Sequence, residues 1–118
     1  LDVTRQGLDY YAALFDHPKI EQVIGDAFDE IQNFADGLFS CIIHDPPMLS
    51  LAGDLYSGDF YAECFRVLRP SGRLFHYIGD PDSKSGARTT KGVVRRLQEA
   101  GFTRVALKPQ AIGVVAFK

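Results

Sequence analysis

The chain is 118 residues long, 46% hydrophobic with nine Phe and five Tyr, and carries a formal charge of -2. That length fits one domain with a modest core, the composition is too apolar for a disordered segment, and the charge excludes an overall basic field, so any nucleic-acid contact must come from a local patch. No stretch approaches the roughly 20 apolar residues that cross a bilayer and no basic-then-apolar leader opens the sequence, so a cytoplasmic location is expected. Cys41 and Cys64 stand among apolar neighbours and are expected to be small buried hydrophobes rather than disulfide partners. The chain opens on Leu1 rather than Met, as an excised domain, a processed product or an incomplete piece would.

In chain order, Leu8, Tyr11, Ala12 and Phe15 recur at helical spacing and Pro18 stops the pattern, which predicts a first helix. A short β-prone run at 20–24 closes on Gly25 and Asp26, a short helix is expected at 27–34, and Gly37 turns the chain into an apolar run at 38–43. Both runs read as strands, the second fully buried. Ser57 is a good N-cap for a helix whose apolar stripe is Phe60, Tyr61, Cys64, Phe65 and Leu68, ended by Pro70-Ser71-Gly72. A strand at 73–78 comes next, then a polar stretch at 79–88 that reads as a flexible loop. A helix at 89–100 turns Val93, Val94, Leu97 and Ala100 inward, with Gly101 as its stop. The chain ends in β-prone runs at 103–107 and 112–117.

Strands alternate with helices until that last pair, which is the signature of an α/β sheet of parallel strands. The last two runs lie too close for a helical crossover and must pair antiparallel. The expected architecture is a mostly parallel, doubly wound sheet finished by an antiparallel C-terminal hairpin strand, in a single domain spanning all 118 residues.

The segments Val23-Ile-Gly-Asp-Ala-Phe and Phe39-Ser-Cys-Ile-Ile-His-Asp-Pro-Pro, followed by Val67-Leu-Arg-Pro-Ser-Gly-Arg-Leu and Leu97-Gln-Glu-Ala-Gly-Phe, carry a resemblance to the class I S-adenosylmethionine-dependent methyltransferases. With Leu51-Ala-Gly-Asp-Leu-Tyr and Phe75-His-Tyr-Ile-Gly they are similar to a group of uncharacterised, largely archaeal methyltransferases. Order and spacing carry the resemblance, since no single motif is specific, and it covers essentially the whole chain. It implies S-adenosylmethionine as cofactor and a Rossmann-like sheet whose ligands bind at the carboxyl ends of the strands.

The resemblance places Asp26, with Ala27 and His44, on the cofactor side, Asp26 as acceptor for the adenine amino group. Read on its own, Gly25-Asp26 ends a strand and caps a helix. Asp45-Pro46-Pro47 resembles the motif that receives an amine nucleophile in methyltransferases acting on nitrogen. The chemistry needs two acceptors, the Asp45 carboxylate and a proline-held backbone carbonyl, because a conjugated amine must become more tetrahedral before it can attack. Met48 stands where that motif has an aromatic residue, which leaves the acceptor open between a nitrogen of RNA and a small molecule. Asp-Pro-Pro is also ordinary chemistry for a strand-to-turn junction. His44 could face the site or the packing, and the three histidines show no metal spacing. Lys84, Arg88, Lys91, Arg95 and Arg96 form either a phosphate-contacting patch or a solvated helix face.

Family enzymes hold the methionine and ribose of the cofactor with a glycine-rich turn after a first strand, and that turn would precede Leu1. Two readings follow: a fragment of an active methyltransferase that by itself binds the cofactor poorly, or a degenerate domain used for binding or assembly. The same comparison makes the run at 38–43 an edge strand, to be covered by residues 20–24 or by a second copy of the chain in a homodimer.

Overall fold

The computed structural model describes residues 13, 16–80 and 82–118. The helix expected from Leu8, Tyr11, Ala12 and Phe15 lies outside the described residues apart from Ala13. Asp26 opens a helical turn, α1 (Ala27–Glu30), by accepting the Phe28 N–H at 2.9 Å, and a 3-10 turn, Ile31–Asn33, extends it. Strand β1 (Phe39–His44) follows, then a long loop ending in the 3-10 turn Gly53–Tyr56. Helix α2 (Gly58–Val67) starts at the expected cap, Ser57 Oγ accepting the Phe60 N–H at 3.1 Å. Strand β2 (Leu68–Tyr77), helix α3 (Lys84–Glu99), β3 (Thr103–Lys108) and β4 (Gly113–Phe117) complete the chain.

The sheet order is β1-β2-β4-β3, with β1 and β2 parallel and β4 antiparallel to both its neighbours. Three strands therefore point one way and the last points back, which is the expected mixed sheet with a C-terminal hairpin. Its inner face carries the rows Ile42, Leu74, Ala116 and His44, His76, Val114 in register. Phe60, Tyr61, Cys64 and Val67 of α2 and Val93 and Leu97 of α3 bury against that face. At about 25 cal/mol per Å2 of apolar surface removed from water, this layer is the main stabilising term.

The other face bears the row Ile43, Phe75, Val115 with Tyr77 beyond it, and Ile43 is 76% exposed. The expectation of a fully buried run at 38–43 is therefore corrected. Only alternate residues of β1 point into the core, since successive side chains leave a strand on opposite faces, and Cys41 points out with Ile43. Cys41 is accordingly exposed, while Cys64 is buried as expected, and both are free thiols.

Residues 20–24 form no strand among the described residues. A β-prone run has no intrinsic reason to extend unless a neighbour supplies hydrogen bonds, and β1 stands at the sheet edge without it. Pro70-Ser71-Gly72 does not end α2, whose last residue is Val67. It forms a bulge in β2, where Phe39 pairs with Leu68 and Cys41 with Arg73.

The loop expected at 79–88 is also shorter than its composition suggests, because Ser83 caps α3 by accepting the Gly86 N–H at 2.9 Å and the helix starts at Lys84. Gly86 lets this first turn approach the preceding loop: a Cβ there would overlap the Asp80 carbonyl oxygen and lie 2.7 Å from Ser83 Oγ. Gly86→Ala thus sets a helix-propensity gain of about 1 kcal/mol against a backbone clash of roughly 1–3 kcal/mol. Urea denaturation should show the clash winning, with a lowered midpoint. A raised midpoint would show that α3 starts later than Lys84.

Candidate functional site

The carboxyl ends of β1 and β2 open between two cavities. The first, about 370 Å3, lies along the outer edge of β1 and is walled mostly by apolar groups, among them Val23, Ala27, Phe34, Ile43 and Phe60, with Glu30, Cys41 and His44 as its polar edge. The second, about 320 Å3, lies between the loop after β1 and the start of α3, lined by Met48, Ser50, Tyr56, Asp80, Ser83 and Thr89 among others. His44 borders the first and Met48 the second, so Asp45-Pro46-Pro47 is the stretch of chain that joins them.

Asp45 is exposed, and among the described residues no hydrogen bond or ion pair engages its carboxylate. The Pro47 carbonyl is occupied, accepting the Tyr56 hydroxyl at 2.8 Å. Of the two proline carbonyls, the sequence could not say which remains for a ligand. The structure leaves Pro46.

Asp26 is exposed, and one carboxylate oxygen already caps α1. Ala27 lines the first cavity. His44 is buried, its Nε2 2.8 Å from the Leu55 carbonyl, which can only accept, so Nε2 carries the proton. Its ring packs on Phe60 and on His76, with centroids 4.9 and 4.4 Å apart. Of the two orientations left open for His44, the structure favours packing, with the ring edge on the cavity wall.

Behind the loop lies a polar cluster that has no local sequence signal. His76 is fully buried, its Nδ1 3.0 Å from the Tyr77 carbonyl and its Nε2 2.8 Å from the Tyr61 hydroxyl. The carbonyl fixes the proton on Nδ1, so Nε2 accepts from Tyr61. Burial, and next the neighbouring His44, push the His76 pKa down to about 3, and burial also lowers that of His44. Burial raises the Tyr56 hydroxyl, and the Asp45 charge raises it further. From α3, Arg96 Nε donates to the Tyr56 carbonyl at 2.7 Å.

That contact divides the basic group: Arg96 is spent on the loop, whereas Lys84, Arg88, Lys91 and Arg95 are exposed, Arg95 lying 3.9 Å from Glu99. Among the described residues no group of three or more His, Cys, Asp or Glu side chains could hold a metal ion, and no helix is long and apolar enough to cross a membrane.

The first cavity suits a flat heteroaromatic group such as adenine, being apolar with a few acceptors at its rim. A glycine-rich turn for the methionine and ribose of S-adenosylmethionine is not among the described residues. The residues present therefore fit part of that cofactor.

No family model matches the chain. An uncharacterised protein of Methanocaldococcus jannaschii is 53% identical over 100 residues, covering 84% of this chain and 35% of the relative. Polyamine aminopropyltransferase 2 of Streptomyces coelicolor is 32% identical over 92 residues, covering 76% of this chain and 16% of the relative. The chain thus spans about a third or less of these relatives. Among solved structures, a spermidine synthase bound to the transition-state analogue AdoDATO superposes with a TM-score of 0.74 and 26% identity, over 96% of this chain and 40% of that one. A SAM-dependent methyltransferase from Archaeoglobus fulgidus gives a TM-score of 0.66 at 11% identity, over 99% and 74%. The chain has the Rossmann-like α/β fold that SAM-dependent methyltransferases share with spermidine synthase.

The histidine pair ties stability to pH. His76 and His44 bind fewer protons folded than unfolded between their lowered pKa values and the ordinary 6.5, so stability rises with pH through that window and falls as pH drops from about 6.5 toward 3. Thermal unfolding should show a steeper loss between pH 7 and 4 in the wild type than in His76→Asn. Parallel curves would show that His76 is not the group that titrates.

Proposed function

We propose that the chain is the acceptor-side part of an S-adenosylmethionine-dependent methyltransferase acting on an amine nitrogen, of RNA or of a small molecule. The observation that carries this reading is the position of Asp45-Pro46-Pro47, on the chain segment between the two cavities at the carboxyl end of β1. In it Ala27 faces the adenine, Asp26 stands beside it at the start of α1 with its second carboxylate oxygen left for the amino group, and His44 closes the inner wall. When bound, S-adenosylmethionine supplies a methyl group made electrophilic by its sulfonium sulfur.

Asp45 accepts one N–H of the amine and the Pro46 carbonyl a second, which turns the lone pair toward the donor. As the nitrogen becomes cationic, the carboxylate stabilises the charge and is placed to take the proton.

A second reading has the same residues transfer an aminopropyl group from the decarboxylated donor, and it is favoured by the likeness to spermidine synthase and to the polyamine aminopropyltransferase. Asp45 would do the same work, since both reactions move a carbon from a sulfonium to an amine. The four exposed cations of α3 favour an anionic acceptor such as RNA, whereas the carboxylates of Asp45 and Asp80 favour a cationic amine.

The complete polypeptide should be assayed with S-adenosylmethionine and with its decarboxylated form, each against spermidine and against an adenine-containing oligoribonucleotide. Methyl transfer should occur with the first donor, and aminopropyl transfer alone would select the second reading. Transfer from neither donor would leave the degenerate-domain reading. Asp45→Ala should lower turnover by about a hundredfold or more while donor affinity stays within about twofold. Unchanged turnover would remove Asp45 from the mechanism.

A further inference from the structure

We infer that Tyr56 is a positioning residue: its hydroxyl, donated to the Pro47 carbonyl, acts with the His44 to Leu55 bond to hold Asp45 and the Pro46 carbonyl in the geometry an acceptor amine requires. This rests on the reading of Asp45 given above and adds what keeps Asp45 in place.

The loop from Asp45 to its closing 3-10 turn is long, and a loop of this kind pays conformational entropy to present one geometry. Two bonds close it. His44, the last residue of β1, reaches the Leu55 carbonyl at 2.8 Å, and Tyr56 reaches back to the Pro47 carbonyl at 2.8 Å. Leu55 and Tyr56 belong to the same turn, Gly53–Tyr56, so one rigid turn grips both sides of Asp45-Pro46.

The prolines make this grip effective. Their rings fix φ at both positions, so holding the Pro47 carbonyl leaves few free torsions between it and the end of β1. Tyr56 is itself packed in, 4% exposed, with its ring 5.2 Å from that of His76 and its carbonyl held by Arg96. The hydroxyl also occupies one of the two lone pairs of the Pro47 carbonyl, whereas the Pro46 carbonyl has no partner among the described residues.

Misplacing a catalytic group by about 1 Å can cost on the order of a hundredfold in rate. Tyr56→Phe keeps the buried ring and deletes the bond. In the complete polypeptide it should lower kcat about 10–100-fold, with donor affinity and the acceptor KM within about twofold. The Asp45→Ala background separates positioning from direct contact. There Tyr56→Phe should cost nothing further, because a residue that acts through Asp45 has nothing left to position.

Amide exchange needs no acceptor. The amides of Leu51 and Ala52, both bonded to the Met48 carbonyl, should exchange faster in Tyr56→Phe while those of α2 keep their protection. Unchanged exchange overturns the inference, as does full turnover in Tyr56→Phe when Asp45→Ala is impaired. Equal losses with and without Asp45, or a rise in KM alone, would make Tyr56 a direct contact of the acceptor and also overturn it. Full turnover in Asp45→Ala would instead overturn the functional reading beneath it.

Discussion

A buried imidazole with no access to water must find its partners within the protein, and His76 places that demand at the centre of the sheet. Each unmade bond there would cost about 1–3 kcal/mol, so the elements around it are not free to settle independently. Tyr61 of α2 must sit where its hydroxyl meets Nε2, and the β2 backbone must turn its Tyr77 carbonyl to Nδ1. His44 then packs at a tilt against the same ring from β1, Tyr56 does so from the loop, and Arg96 fastens that loop from α3. Apolar burial supplies most of the stabilisation of this layer, but apolar contacts are non-directional. Register between helix, strand and loop comes from the polar cluster, because hydrogen bonds fail within a fraction of an ångström.

Among the described residues the sheet is covered on one side. Its inner face is closed by α2 and α3, whereas β1 stands at the edge and Ile43, Phe75, Val115 and Tyr77 occupy the outer face. Sheets of this type are ordinarily covered on both faces. The asymmetry reaches the candidate site, since the first cavity runs along the open edge of β1 while the second lies between the loop and α3. Asp45 and Pro46 line neither cavity; they lie on the chain between them, next to the bonds that His44 and Tyr56 make to the loop.

Much of this was legible in the sequence where structure is local. The Ser57 cap, the Phe60, Tyr61 and Cys64 part of the α2 stripe and the antiparallel closing hairpin follow from residue spacing and agree with the structure, whereas Leu68, expected on the helix, belongs to β2. Errors arose where a local signal was outvoted by a distant one. Ser85-Gly86 reads as loop, but Gly86 is there because the Asp80 carbonyl leaves no room for a side chain. Residues 20–24 have the composition of a strand and lack its partner. Cys41 sits in an apolar run yet faces out, because the period of a strand depends on which face the helices take. The Tyr56 to Pro47 bond and the Arg96 anchor span 9 and 40 positions. No spacing rule pairs such residues, and only the folded sheet brings them together.

The same distinction bears on the chemistry. The tripeptide Asp45-Pro46-Pro47 could be picked out because it combines a carboxylate with two fixed backbone torsions, but identity alone gives an acceptor and not its aim. Aim comes from the Gly53–Tyr56 turn, which grips the loop on either side of Asp45, and from α3, which holds that turn. Methyl and aminopropyl transfer ask the same of this device, a nitrogen lone pair held in line with a carbon on sulfur. Under the proposed reading, a scaffold that fixes the nucleophile's acceptors and leaves the donor to a separate cavity serves either reaction. Choice between them would then rest with the residues around the donor, in keeping with a fold that hosts both a methyltransferase and a spermidine synthase.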